Sequence, residues 1–243
     1  MGTKAPISTA RNKYHEEAKE FCIYTPLDVS YFIYDLIRGY KFSRVLDVCC
    51  GEGNLSKPFE KSKYQTIGID IRENLSFPPG EFINANFIKT SEECASQVSL
   101  IGKREITGLT PTQIEYLKLF NPDLVISNPP FNDCPGRKLY PFEVLKKIIE
   151  IYGHKKPIVL FTLMGFRLNR RYGAERETDL ERLFENGLDL TSIISMPIDA
   201  FFPGSKSKGQ QWEILIFNMP GLKPHYWYTL KTRNNMIKKY GLD

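Results

Sequence analysis

Apolar positions along the chain fall into two patterns that take turns from end to end. Short, nearly continuous apolar runs occur at 44–49, 64–70, 81–86, 124–127, 157–163, 191–196 and 212–217. Runs of this length, rich in Val and Ile and bounded by Gly, Pro, Asn or charged residues, read as buried strands. Between them the apolar residues recur at helical spacing. Examples are Val29, Phe32, Ile33, Leu36 and Ile37, then Ile114, Leu117 and Phe120, then Val144, Leu145, Ile148 and Ile149. The spacing predicts helices over 26–38, 110–120 and 142–152, with another over 179–186. End signals agree: Thr25 reads as an N-cap with Pro26 in the first turn, Thr110 and Pro111 repeat the pattern, and Gly39 and Gly187 read as stops. A short helix is expected after the glycines at 51 and 53, and residues 88–109 read as a surface excursion. Strands alternating with helices predict a doubly wound α/β sheet. One domain over 1–243 is expected, with a polar extension at 1–20, a core at 24–217 and a basic, aromatic tail at 218–243.

Composition narrows the class. The 243 residues are 42% hydrophobic and 25% charged, enough apolar material for a sizeable core. No apolar run approaches a membrane span, and residues 1–10 lack the apolar segment of a signal peptide. A cytoplasmic protein without membrane contact is expected. The five cysteines (Cys22, Cys49, Cys50, Cys94 and Cys134) are odd in number and show no CxxC spacing, which points to free thiols rather than disulfides or zinc. His15, His154 and His225 match no ligand spacing, so no metal is expected. The net charge of +5 is modest, but it is unevenly spread. Lys223 to Lys239 holds five basic residues and no acid, Arg167, Arg170 and Arg171 stand together, and Lys206 and Lys208 share a loop at 203–209. Such patches suit a polyanion, and these arginines and loop lysines are candidate phosphate contacts. His225-Tyr226-Trp227-Tyr228 offers rings that can stack on bases, meet a partner or pack on a sheet edge.

Two stretches carry candidate chemistry. In Asp47-x-x-x-Gly51-x-Gly53 the glycines fall at the end of the first strand, where backbone can approach a ligand closely. The spacing is not the GxGxxG that cradles a pyrophosphate, and no Walker lysine is present. Asp70, 23 residues after Asp47, ends the second strand, where a carboxylate can accept from two ribose hydroxyls. A cationic nucleoside without phosphates, such as S-adenosylmethionine, fits better than NAD, with Asp47 facing its ammonium group. The second stretch is Val125-Ile126-Ser127-Asn128-Pro129-Pro130-Phe131. A buried strand stops abruptly at two prolines, leaving an amide, rigid carbonyls and an aromatic ring. The Asn128 side-chain oxygen and the Pro129 carbonyl are two acceptors that can draw an exocyclic amine toward its nucleophilic geometry. Phe131 can stack on the ring bearing that amine, worth about 1–3 kcal/mol.

On these residues the chain resembles amino-methyltransferases that use S-adenosyl-L-methionine. The resemblance is greatest to adenine-N6 DNA methyltransferases in which the cofactor motif precedes the catalytic one, including the type I modification subunits of restriction-modification systems. Tyr24-Thr25-Pro26 resembles their YTP element, which contacts the methionine part of the cofactor. Asp47 to Leu55 resembles their cofactor loop, which brings Cys49, Gly51, Gly53 and Asn54 into the candidate cofactor site. Asp70, with Ile71 beside it, matches the ribose-binding acid. Asn86-Phe87 falls where those enzymes usually carry Asp-Phe or a similar pair near the cofactor adenine. Asn128, Pro129, Pro130 and Phe131 match the catalytic motif, and Ile194 to Phe217 looks like the closing strands.

The resemblance implies a Rossmann-like class I methyltransferase fold, with a seven-stranded, mostly parallel sheet and one antiparallel strand near the C-terminus. It implies methyl transfer to the N6 amine of adenine in DNA in preference to RNA, without a metal. Related motifs occur in RNA adenine and guanine methyltransferases. Transfer to RNA amines is therefore one alternative, and a catalytically silent nucleic-acid-binding subunit is another. The stretch after the seventh strand offers no room for a typical target-recognition domain. Sequence preference is accordingly expected to be weak, or supplied by a specificity subunit or a second copy in a homo-oligomer.

Overall fold

Each long apolar run builds a strand, and most of these strands are buried on both faces. The computed structural model describes residues 25–60, 63–73, 75–90, 108–130, 139–167, 179–197 and 211–242. Its strands are β1 (Arg44–Val48), β2 (Gln65–Asp70), β3 (Glu81–Asn84), β4 (Asn86–Thr90), β5 (Gly108–Leu109), β6 (Leu124–Ser127), β7 (Ile158–Leu163), β8 (Leu190–Ser195), β9 (Trp212–Phe217) and β10 (His225–Trp227). Its helices are α1 (Leu27–Ile37), α2 (Pro111–Phe120), α3 (Tyr140–Tyr152), α4 (Asp179–Glu185) and α5 (Leu230–Tyr240).

Eight strands form one sheet in the order β10-β8-β9-β7-β6-β1-β2-β3, and β4 pairs separately with β5. Within the large sheet only β9 is inverted, running antiparallel to both β7 and β8. This is the mostly parallel arrangement expected. The strand order reverses between β1 and β6, which opens a crevice at their carboxyl ends. Helices cover both faces. Val125, Leu160, Leu46 and Val48 pack against Leu117, Val144 and Ile148 on one side. Val45, Ile126, Val159 and Ile214 pack against Val29, Ile33, Ile37 and Phe59 on the other. Burying each such aliphatic side chain is worth about 1.5–3 kcal/mol, which fixes the sheet as the frame for the crevice.

Several details depart from the pattern-based expectation, among them the parallel pair β4–β5 flanking the stretch read as a surface excursion and helix α5 within the expected tail. The sheet has an eighth strand, β10, where a tail was expected. Its residues are exposed, half-buried and exposed, so it carries no apolar run to betray it. The third strand stops at Asn84 instead of reaching Asn86. The Asn84 side chain donates to the Asp70 and Arg72 carbonyls (3.1 and 2.9 Å), and the chain then leaves the sheet to form β4. The helix expected after the glycine turn is a single 3-10 turn, Lys57–Phe59. Finally, Pro26, not Thr25, occupies the N-cap of α1, and no side chain caps that helix. At α2 the expected cap is present in full, with Thr110 and Gln113 closing a reciprocal capping box. Among the described residues no helix is long and apolar enough to cross a membrane.

Candidate active site

The turn at the end of β1 shapes the crevice. Cys49 (φ 60°), Gly51 (φ 55°) and Gly53 (φ 81°) all take left-handed backbone, which folds the chain back over the strand end. At Gly53 the requirement is double, because a Cβ there would also lie 2.9 Å from Pro79 Cδ. Cys49 holds the same conformation with a side chain attached, a strain of order 1–3 kcal/mol that tends to collect at functional sites. Backbone bonds fasten the turn: Cys50 N donates to Ile69 O (3.1 Å) and Gly53 N to Cys50 O (2.9 Å). Burial, aided by the Asp70 and Asp47 carboxylates, pushes the Cys49 and Cys50 thiols up, so neither serves as a thiolate nucleophile at neutral pH.

Asp70 ends β2 and is buried. Its Oδ2 accepts from Gly51 N at 2.9 Å, which ties the glycine turn to the neighbouring strand. Its Oδ1 accepts from the Arg72 backbone N (3.0 Å) and Nε (3.1 Å). Arg72 is a site residue that sequence reasoning missed; the signal was a cation two positions beyond a strand-ending acid. Ile71 between them is 43% exposed at the rim.

Asp47 lies in β1 one residue from its end. Strand alternation puts it on the same face as Val45, toward α1. It is fully buried, and neither carboxylate oxygen has a hydrogen-bond partner among the described residues. Burial, with a further push from Asp70, raises its pKa to about 8, and Ser56, near but outside hydrogen-bonding geometry, offsets part of this. A buried carboxyl in that state either keeps its proton or receives a cation.

Asn128 follows β6 directly, at the carboxyl edge of the sheet beside the end of β1. The Ser127 hydroxyl before it donates to Val48 O (2.7 Å) and staples the two strand ends together. Asn128 Nδ2 donates to Thr25 Oγ1 at 3.0 Å, and Asn54 Nδ2 donates to the Thr25 carbonyl at 3.2 Å. Committing Nδ2 to Thr25 aims Oδ1 the other way. Pro129 is buried and Pro130 exposed. The structure thus joins Thr25, Asn54 and Asn128 directly, and Gly51 to Asp70.

Other expected site residues are engaged elsewhere. Asn86 Oδ1 accepts from Ile88 N (3.2 Å) at the start of β4. The Phe87 ring, 2% exposed, lies in the core. Arg167 Nε donates to both oxygens of Glu213 (3.0 and 3.1 Å), and Glu213 is buried in β9. Burial pushes the Glu213 carboxyl up, and Arg167 pulls it back down. Tyr24, Phe131, Arg170, Arg171, Lys206 and Lys208 lie outside the described residues. Among the described residues no group of three or more His, Cys, Asp or Glu is arranged to hold a metal.

No protein-family model matches the chain, and no curated protein matches its sequence. Solved structures match its fold. A modification subunit of a putative type I restriction enzyme from Vibrio vulnificus YJ016 superposes with a TM-score of 0.55 at 13% identity, covering 96% of this chain and 56% of that one. This chain therefore spans little more than half the length of that subunit. A TehB-like SAM-dependent methyltransferase from Corynebacterium glutamicum gives a TM-score of 0.42 at 15% identity, covering 86% and 94% of the two chains. TrmN from Thermus thermophilus gives 0.46 at 14% identity, covering 77% and 47%. At such identities the likeness is one of fold alone: a Rossmann-like, mostly parallel α/β sheet.

Proposed function

We propose that this chain transfers a methyl group from S-adenosyl-L-methionine to the exocyclic N6 amine of adenine in DNA. The observation that carries the reading is the bonded path from Asn128 through Thr25 to Asn54 in the glycine turn. It links the amide that would hold the acceptor amine to the turn that would hold the donor.

The residues fit the cofactor. Asp47 offers a buried carboxyl, without a hydrogen-bond partner among the described residues, that would ionise against the ammonium group. The left-handed turn from Cys49 through Gly51 to Gly53 lets backbone come close to the ligand. Asp70 retains acceptor capacity for ribose hydroxyls, which would displace the Arg72 Nε contact. Tyr24, Thr25 and Pro26 would border the methionine end, with Ile71 and Asn86 near the adenine. When bound, S-adenosyl-L-methionine supplies a methyl group on positively charged sulfur. Asn128 Oδ1 and the Pro129 carbonyl would accept the two amine N–H groups and draw the lone pair out of conjugation. Because these acceptors are held in place beforehand, little reorganisation is needed at the moment of transfer. Phe131 would stack on the base, returning about 1–3 kcal/mol of the cost of unstacking it. Arg170, Arg171, Lys206 and Lys208 are the proposed phosphate contacts, while Arg167 is tied to Glu213. Phosphate contacts position a substrate without reading its sequence. The fold likeness to a type I modification subunit favours DNA and a separate specificity subunit.

The direct mutational test is Asn128→Ala. Methyl transfer is expected to fall at least about 100-fold, while cofactor affinity measured by calorimetry stays within about threefold. Unchanged turnover would contradict the proposal.

A further inference from the structure

We infer that Thr25 is a positioning residue for the transfer step, holding the Asn128 amide in its working orientation before a target arrives. The inference rests on the proposed function and extends it to a residue whose resemblance-based role is contact with the cofactor. Asn128 sits between a sheet strand and a proline, so its backbone is fixed. Its side chain is not fixed by that backbone, because the terminal torsion of an asparagine is broad. The Thr25 hydroxyl supplies the missing restraint by accepting from Nδ2 at 3.0 Å across 103 residues of sequence. Thr25 itself is 4% exposed. It stands next to the N-cap of α1, where a threonine hydroxyl would ordinarily serve the helix, yet that helix has no side-chain cap. The Asn54 bond to the Thr25 carbonyl then ties the restraint to the glycine turn. Fixing an acceptor in advance lowers a barrier without adding affinity for the cofactor.

The test compares Thr25→Val and Thr25→Ser with the wild type. Val has the shape of Thr and leaves Nδ2 without its acceptor, whereas Ser keeps the hydroxyl. The side-chain amide signal absent from the Asn128→Ala spectrum identifies Nδ2 in nuclear magnetic resonance. Its exchange with water is expected to quicken in Thr25→Val and to stay slow in Thr25→Ser. The single-turnover transfer rate is expected to fall about tenfold in Thr25→Val, with cofactor affinity changed less than about twofold, and Thr25→Ser should restore most of the loss. Unchanged amide exchange in Thr25→Val would overturn the inference, as would a loss of cofactor affinity as large as the loss of rate. The exchange measurement needs no turnover. A wild type that binds cofactor but transfers nothing would therefore refute the proposed function separately from the Thr25 contact.

Discussion

A buried carboxyl without a hydrogen-bond partner among the described residues sits in β1 near its end, and its protonation ties stability to pH. Asp47 has its pKa raised to about 8 in the folded chain, first by burial and then by Asp70. In the unfolded chain it would titrate near ~4. The folded state therefore holds the proton more tightly, and this contribution to stability is complete below about pH 4 and lost as pH rises through about 8. Asp47→Asn should remove that slope. The ligand-free variant is expected to melt above the wild type at about pH 9, while binding S-adenosyl-L-methionine at least about tenfold more weakly. Thermal unfolding across pH and calorimetry read the two effects. Equal affinity in the variant would remove Asp47 from the cofactor site.

Between elements, the position of Asn128 is set at the opposite end of the sheet. Asp123, just before β6, accepts from the Ser43 backbone N and Oγ and from the Arg44 backbone N and Nη2 at 2.7–3.0 Å. Burial pushes the Asp123 carboxyl up, but these donors outweigh it and hold the pKa down to about 2. The contact fixes Val45 opposite Leu124, and so brings Val48 level with Ser127 beside the crevice. Here the sign is reversed: the contribution is present above about pH 4 and disappears as pH falls toward about 2. Asp123→Ala is expected to cost about 1.5–3 kcal/mol in urea unfolding at neutral pH, a gap that narrows between about pH 4 and 2. A gap independent of pH would mean that the carboxylate is not what joins β1 to β6.

The same elements mark what could be read from sequence. Strands β1, β2, β6, β7 and β9 were legible because burial on both faces leaves nearly continuous apolar runs. The ends of α2 were legible because a capping box is local chemistry. Strand β10 escaped because an edge strand keeps exposed residues, Trp227 among them at 68%. Asp47 and Asp70 could be singled out from spacing beside a glycine turn. The pairings of Thr25 with Asn128 and of Arg167 with Glu213 could not, since each depends on how the chain returns on itself; Arg72, two residues beyond Asp70, left a local signal that was passed over. Thr25 illustrates the limit, because the local reading as a helix cap lost to Asn128, 103 residues away.

At the scale of the whole molecule, the C-terminal segment closes over the helix that leads out of the site. Tyr228 is buried and its hydroxyl donates to Asp28. Tyr240 stacks on Tyr31 with ring centroids 4.2 Å apart, and both Tyr240 and Lys239 donate to Asp35. Part of the basic, aromatic tail is thus spent on holding α1, whose first turn comes just after Thr25. The central claim is the chemistry itself, and labelled methyl transfer tests it most directly. Labelled S-adenosyl-L-methionine would be incubated with duplex DNA, single-stranded DNA and RNA, and the nucleosides then separated. Label is expected in N6-methyl-2′-deoxyadenosine and absent with Asn128→Ala. Label confined to ribonucleosides, or cofactor binding with no label in any polymer, would contradict it.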